Sequence, residues 1–185
     1  RMKFTKMHGC GNDYIYINGA VERIASEDKP ELVRKISDRH FGIGGDGAIF
    51  INPSTEADFE MEMYNADGSR AEMCGNGIRC VAKYVYDNGL TDKTNISIVS
   101  CGQVKYLELF LKDGRVYTVR VNMGAPELSA GKIPVTAENG KDRVIDEAIT
   151  VQGNEYKMTC VSMGNPQAVV FMDEVARLEI EKIGP

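Results

Sequence analysis

Along most of the chain, apolar residues alternate with polar ones or gather in short runs rich in Val, Ile, Tyr and Phe, the pattern of strands. Such runs cover Lys3–Lys6, Tyr14–Ile17, Gly47–Ile51, Phe59–Tyr64, Ile96–Ser100, Val104–Leu111, Val116–Val121, Val144–Val151, Tyr156–Ser162 and Ala168–Phe171. Helical spacing replaces this alternation in three places. Pro30–His40 puts Leu32, Val33 and Ile36 on one face, with Asp28 as the candidate cap. The segment after Cys74 repeats Ile78, Val81, Tyr84 and Val85 and stops at Asn88-Gly89, and a short helix is predicted over Glu174–Ile183. Lys112-Asp113-Gly114 supplies a hairpin turn between two strands. A six-residue turn, His8–Asp13, is expected between the first two. Many strands with few helices and no regular βαβ alternation predict an α+β fold. Residues 122–143, rich in Gly, Pro, Ser, Asn and charge, carry the expected boundary between a first domain over 1–121 and a second over 144–185.

The run Asn65–Cys80 changes this from a fold pattern into candidate chemistry. It sets Cys74 where a glycine-rich turn becomes a helix. Unpaired amides and the positive end of the helix dipole at that place favour a thiolate. A free thiol titrates near ~8.5, and such a position is expected to lower that. Gly75 and Gly77 leave the first amides uncovered, so a carboxylate can lie against them. Asn12, Asn65, Asn76 and Asn165 each sit in or beside a Gly- or Pro-containing turn. Asn suits turns for local reasons. Four amides beside one thiol, however, would bind a zwitterionic amino acid without adding charge.

The 185 residues are 43% hydrophobic and 26% charged, ordinary for a globular protein. A net charge of −5 argues against a nucleic-acid partner. No apolar run approaches the ~18 residues of a membrane span, and no signal-peptide pattern opens the chain. Arg1 ahead of Met2 reads as an addition to the chain. Five cysteines without paired spacing predict reduced thiols and a cytoplasmic location. Cys10, Cys80, Cys101 and Cys160 read as core thiols, Cys10 least so because of its glycine turn. Cys74 is accordingly expected to be the thiol most sensitive to alkylation.

Four other chemistries fail on spacing or context. Gly42-Ile43-Gly44-Gly45-Asp46-Gly47 matches G-x-G-x-x-G, but a helix precedes it and a strand follows, the reverse of a dinucleotide site. A tight glycine turn is the expectation there. Cys74 to Arg79 is one residue short of a phosphatase loop. Neither His8 nor His40 lies in a context that resembles a protease histidine, and no cysteine spacing matches a zinc site.

Five segments together resemble the diaminopimelate epimerase family. They are Lys6–Tyr14, Arg39–Gly47, Tyr64–Ser69, Cys74–Cys80 and Val161–Pro166, spread over nearly the whole chain. The resemblance implies two similar lobes, each a curved mixed sheet wrapped around a central helix. It implies epimerisation of LL- to meso-diaminopimelate by two cysteines without cofactor or metal, one removing the α-proton and the other delivering one to the opposite face. Cys74 matches one of the pair. Asn12, Asn65 and Asn165 match substrate-binding asparagines, and Gly75-Asn76 matches the cradle of the substrate carboxylate.

Gln167 stands where the family usually has His, so any charge at that position is lost. Gly-Asn occurs at 11–12 and again at 164–165, each time before a strand. The interval from Asn12 to Cys74, counted on from Asn165, passes Pro185. The second lobe is therefore expected to be incomplete, the second cysteine to lie beyond it, and the chain by itself to be inactive. Competing readings are an epimerase or racemase of another amino acid, a hydrolase with a cysteine nucleophile, and a binding lobe without catalysis. The motifs leave the oligomeric state open, a homodimer included.

Overall fold

A computed structural model of the chain describes residues 2–71, 74–136 and 140–184. Arg1, Glu72, Met73 within the cysteine run, 137–139 within the boundary region, and Pro185 lie outside the described residues. The chain divides into two compact units, Arg1–Met123 and Gly124–Pro185.

The first unit holds a seven-stranded sheet whose spatial order follows the chain: β1 (Thr5–Gly9), β2 (Asn12–Asn18), β3 (Gly47–Asn52), β4 (Phe59–Asn65), β5 (Asn95–Ser100), β6 (Gln103–Lys112) and β7 (Arg115–Val121). Two connections carry helices and make parallel pairs, α1 (Lys29–Ser37) between β2 and β3 and α2 (Gly75–Asp87) between β4 and β5. All other neighbours are antiparallel, so the sheet is mixed.

The sheet curls around α2, which touches β1 and β2 on one side and β6 and β7 on the other. Ile78, Val81, Ala82 and Val85 form the buried stripe of this helix, at i, i+3, i+4 and i+7. They meet Tyr16, Ile49, Met61, Met63, Ile98 and Leu107 from the strands. Burying a side chain such as Ile78, Val81 or Val85 fully contributes about 1.5–3 kcal/mol each. The opposite face of β2–β4 packs Ile15, Ile17, Phe50 and Tyr64 against Val33 of α1. Strand β2 is thus buried on both faces, which is why its apolar run is unbroken.

Four hairpins turn on two residues: Cys10-Gly11, Cys101-Gly102, Asp113-Gly114 and Gln152-Gly153. Both residues of every turn have positive φ, the geometry of a type I′ turn, whose twist matches that of the strands. The expected six-residue turn at His8–Asp13 is therefore shorter, and β1 runs to Gly9 rather than stopping at Lys6. Cys10 and Cys101 are exposed, not core thiols as expected, because each occupies the projecting tip of such a turn. Cys80 and Cys160 are buried.

Helix α1 ends at Ser37, three residues before the expected His40. Asp38 stops it by accepting from the His40 and Phe41 amides at 2.8 and 2.7 Å, and the Ile43 and Gly44 amides turn back to Ile36 O. Asp28 occupies the N-cap position but makes no side-chain capping bond.

The second unit has a three-stranded antiparallel sheet in the order β10 (Pro166–Val170), β9 (Asn154–Ser162), β8 (Glu147–Val151). Ala130, Ile133, Val144 and Cys160 form its core. The helix expected over Glu174–Ile183 is a 3₁₀ turn, Val175–Arg177, followed by the single-turn α3, Ile180–Ile183, with Leu178 extended between them. Among the described residues no helix is long and apolar enough to cross a membrane.

Candidate active site

Cys74 is the N-cap of α2. Its backbone is extended, with φ −123° and ψ 104°, and its Sγ accepts the Gly77 amide at 3.2 Å. Sulfur here does what a Ser or Asp oxygen does at most caps. Asn12 Nδ2 donates to the same sulfur at 3.4 Å, across 62 residues of chain. The sulfur thus has one donor from its own helix and one from β2.

Next to it, the Gly75 and Asn76 amides have no acceptor among the described residues. Gly75 itself puts no side chain over these amides; the Met123 side chain comes near, its Cε 3.7 Å from where a Cβ on Gly75 would stand. Arg79, one turn on, donates to Gly75 O at 3.0 Å and to Asn76 Oδ1 at 2.5 Å. That contact engages the oxygen of the Asn76 amide and leaves its NH₂ group uncommitted. Gly9 of β1 lies against this first turn; a Cβ there would meet Asn76 O at 3.0 Å. The close approach of β1 to α2 thus depends on glycine at that position.

Asn65 ends β4, at the same end of the sheet as Asn12. Tyr14 pairs with Gly47, which pairs with Asn65. The Asn65 side chain donates to Ser69 Oγ at 3.0 Å and its main chain bonds Ser69 O at 2.9 Å, forming a tight turn. Asn165 belongs to the second unit, where it is exposed between β9 and β10 and follows Gly164 at φ 116°. The structure therefore brings Asn12, Cys74, Gly75 and Asn76 together and sets Asn65 on the same sheet end, while Asn165 is placed only within its own unit.

The glycine turn 42–47 holds a cluster of charges that the sequence reading passed over. Asp13 is paired with Lys6 at 2.6 Å and with both terminal nitrogens of Arg39 at 2.8 and 3.2 Å; Arg39 also reaches Asp46 at 2.8 Å. Lys6 Nζ donates to Gly44 O as well. Arg39 and Lys6 hold the Asp13 carboxyl well below the usual carboxylate range. Only the acidic residue beside Asn12 and the Arg beside the glycine turn hinted at this cluster.

Burial pushes the Tyr14 phenol up to about 12 and raises the Cys80 thiol. His8 Nδ1 accepts the Gly11 amide at 3.4 Å and His40 lies against Phe41; neither hydrogen-bonds Cys74. Among the described residues no three His, Cys, Asp or Glu side chains gather as a metal site.

Residues 4–129 match the model of a family described as diaminopimelate epimerase. A diaminopimelate epimerase of Agathobacter rectalis is 58% identical over 189 residues, covering 100% of this chain and 66% of its own length. One from Methanococcus maripaludis is 53% identical over 184 residues, with 100% and 65% covered. The chain therefore spans just under two thirds of the length of these relatives. Among solved structures, a probable proline racemase from Agrobacterium radiobacter superposes with a TM-score of 0.63 at 16% identity, covering 98% of this chain and 53% of that one. A phenazine biosynthesis protein of Bacillus anthracis gives 0.60 at 15%, with 91% and 56% covered. At such identities these two speak for the fold alone.

Proposed function

Because the chain belongs to the diaminopimelate epimerase family, we propose that it carries the Cys74 half of a two-base epimerisation at the α-carbon of LL- or meso-diaminopimelate. The observation that carries this reading is the Cys74 sulfur, held by the Gly77 and Asn12 donors beside two uncommitted amides. In the scheme, the Cys74 thiolate takes the α-proton and becomes a thiol. The electron pair left on carbon delocalises into the substrate carboxylate. That group lies against the Gly75 and Asn76 amides, which meet the growing charge with fixed dipoles. A proton then returns to carbon from the opposite face. A second thiol, of the kind the family resemblance implies, supplies it and becomes the thiolate, so the pair is restored in reverse charge.

Asn12, Asn65 and Asn165 are assigned to the amino and carboxylate groups of the substrate, where neutral amides add no charge to compete with the thiolate. Five unpaired cysteines fit a reducing compartment, and we assign the protein to the cytoplasm.

The test is solvent exchange. In D₂O the enzyme carrying this sequence should wash deuterium into the α-position of LL-diaminopimelate as the meso isomer forms. Cys74→Ser should abolish both, and Asn12→Ala should slow both. A covalent acyl adduct on Cys74 would point to a hydrolase instead, and exchange that survives Cys74→Ala would refute the assignment of the base.

A further inference from the structure

The two-residue turn at Cys10-Gly11 leaves Asn12, half-buried, at the free end of β2. Strand β2 pairs with β3 only from Tyr14 and Gly47 onward, so Asn12 and Asp13 extend past the end of β3. On one side β1 holds them, through Gly9 opposite Asn12 and His8 opposite Asp13. On the other side Asp46 takes the place of the missing strand. Its Oδ2 accepts the Asp13 amide at 3.0 Å, and its own amide donates to Asp13 O at 2.7 Å. The same residue's carbonyl accepts the Ala66 amide at 2.9 Å, one residue past Asn65. Arg39 fastens the arrangement by bridging Asp13 and Asp46 at 2.8 Å each.

We propose that Asp46, secured by Arg39, is a positioning residue that keeps the Asn12 amide on the Cys74 sulfur and ties it to the Asn65 turn. The proposal rests on the reading of Asn12 and Cys74 given above. Its chemistry is indirect: Asp46 touches neither the sulfur nor a substrate, and it acts by fixing the peptide that carries Asn12. A bond donated to a thiolate is charge-assisted, and because a better-stabilised thiolate is also a weaker nucleophile, losing the bond should slow alkylation by about two- to fivefold. Asp46→Asn and Arg39→Gln are therefore expected to act on Cys74 as Asn12→Ala does.

The test measures the rate of Cys74 carboxamidomethylation by iodoacetamide in the 185-residue chain at fixed pH, followed by peptide mass mapping, with circular dichroism to verify folding. Asn12→Ala, Asp46→Asn and Arg39→Gln should each slow Cys74 about two- to fivefold. The Asn12→Ala/Asp46→Asn double variant should be no slower than Asn12→Ala alone, because both changes remove the same contact. Arg39 is more than half exposed, so its variant carries the test if Asp46→Asn does not fold. If Asn12→Ala slows Cys74 and the other two do not, the positioning role is overturned while the Asn12–Cys74 contact stands. Slowing that multiplies in the double variant overturns it too, by showing that Asp46 acts through something other than Asn12. If Asn12→Ala itself leaves the rate unchanged, the underlying reading fails and takes this one with it.

Discussion

Replacing Gly47 by Ala should unfasten the sheet end on which the candidate site stands. A Cβ at this position would lie 2.0 Å from Tyr64 O and 3.0 Å from a Tyr14 ring carbon, and φ is +156°. The offending atom is a backbone carbonyl at the end of the β3–β4 ladder, so no side chain can swing aside. Either the strands separate there or the chain takes up strain. Overpacking costs about 1–3 kcal/mol, each ladder hydrogen bond lost about 0.5–1.5, and an unfavourable φ about 1–3. A total of about 4 kcal/mol is a large part of the 5–15 kcal/mol of a typical domain.

Gly102→Ala isolates the conformational part. Its φ is +70° and no atom lies within 4 Å of the added Cβ. The left-handed conformation costs about 1–2 kcal/mol, partly offset by about 0.4–1 kcal/mol from the stiffer unfolded chain. With a urea slope of about 2 kcal/mol/M, Gly47→Ala should lower the midpoint by about 2 M and Gly102→Ala by about 0.5 M or less. Circular dichroism against urea measures both. A Gly47→Ala midpoint within about 0.5 M of the parent, or a larger fall for Gly102→Ala, would refute the reasoning.

Timed iodoacetamide labelling with mass mapping should modify Cys10, Cys74 and Cys101 before Cys80 and Cys160, since the last two are buried and burial raises the Cys80 thiol; early labelling of Cys80 would contradict the packing of α2. Asp13 has a depressed folded-state pKa, so its ion pairs stabilise fully above the unfolded carboxyl value of about 4 and lose that contribution as pH falls toward the folded value. The stability gap between the parent and Asp13→Asn, read from urea midpoints, should therefore shrink from about pH 5 to about pH 2; a gap that widened on acidification would reverse the sign. Glu62 lies buried with Lys29 at 2.5 Å and also accepts from Tyr64, Asn52 and Arg70. Burial alone would raise its carboxyl, yet Lys29, Tyr64 and Asn52 bring it below the ordinary value. Glu62→Leu should cost about 3–5 kcal/mol, because it strands a buried ammonium, and a thermal melt within a degree or two of the parent would rule that out.

How much of this was legible depended on the range of the interaction. Cys74 at the head of α2 could be read because capping and helical spacing are local, and because Gly75, Gly77 and the 78–81–85 stripe all agree. The first three strands after α2 and the Asp113-Gly114 turn follow from alternation and an Asp-Gly pair. Cys10-Gly11, Cys101-Gly102 and Gln152-Gly153 make the same turn with residues that do not announce it, so alternation alone starts β1 too early and makes two exposed thiols look like core. The stop of α1 at Asp38 rests on a side chain that could equally have continued the helix. The Arg39–Asp13–Asp46 cluster joins residues up to 33 positions apart, and its members look like ordinary solvated charges until strand pairing sets them side by side. Its location next to Asn12 became visible only once β2 was seen to outrun β3.

The match between sheet order and chain order has a kinetic meaning. Each strand of the first unit pairs with the strand just before or after it, so the ladder can grow as the chain leaves the ribosome, without waiting for distant segments. Such local connectivity shortens the search for the native pairing. The exceptions are the contacts of α2 with β1 and β2, made across some 60 residues, and Asn12 on Cys74 is among them. Closing the sheet around that helix brings Asn12 and the sulfur together, so the Gly77 donor comes with the local cap while the Asn12 donor depends on the completed curl.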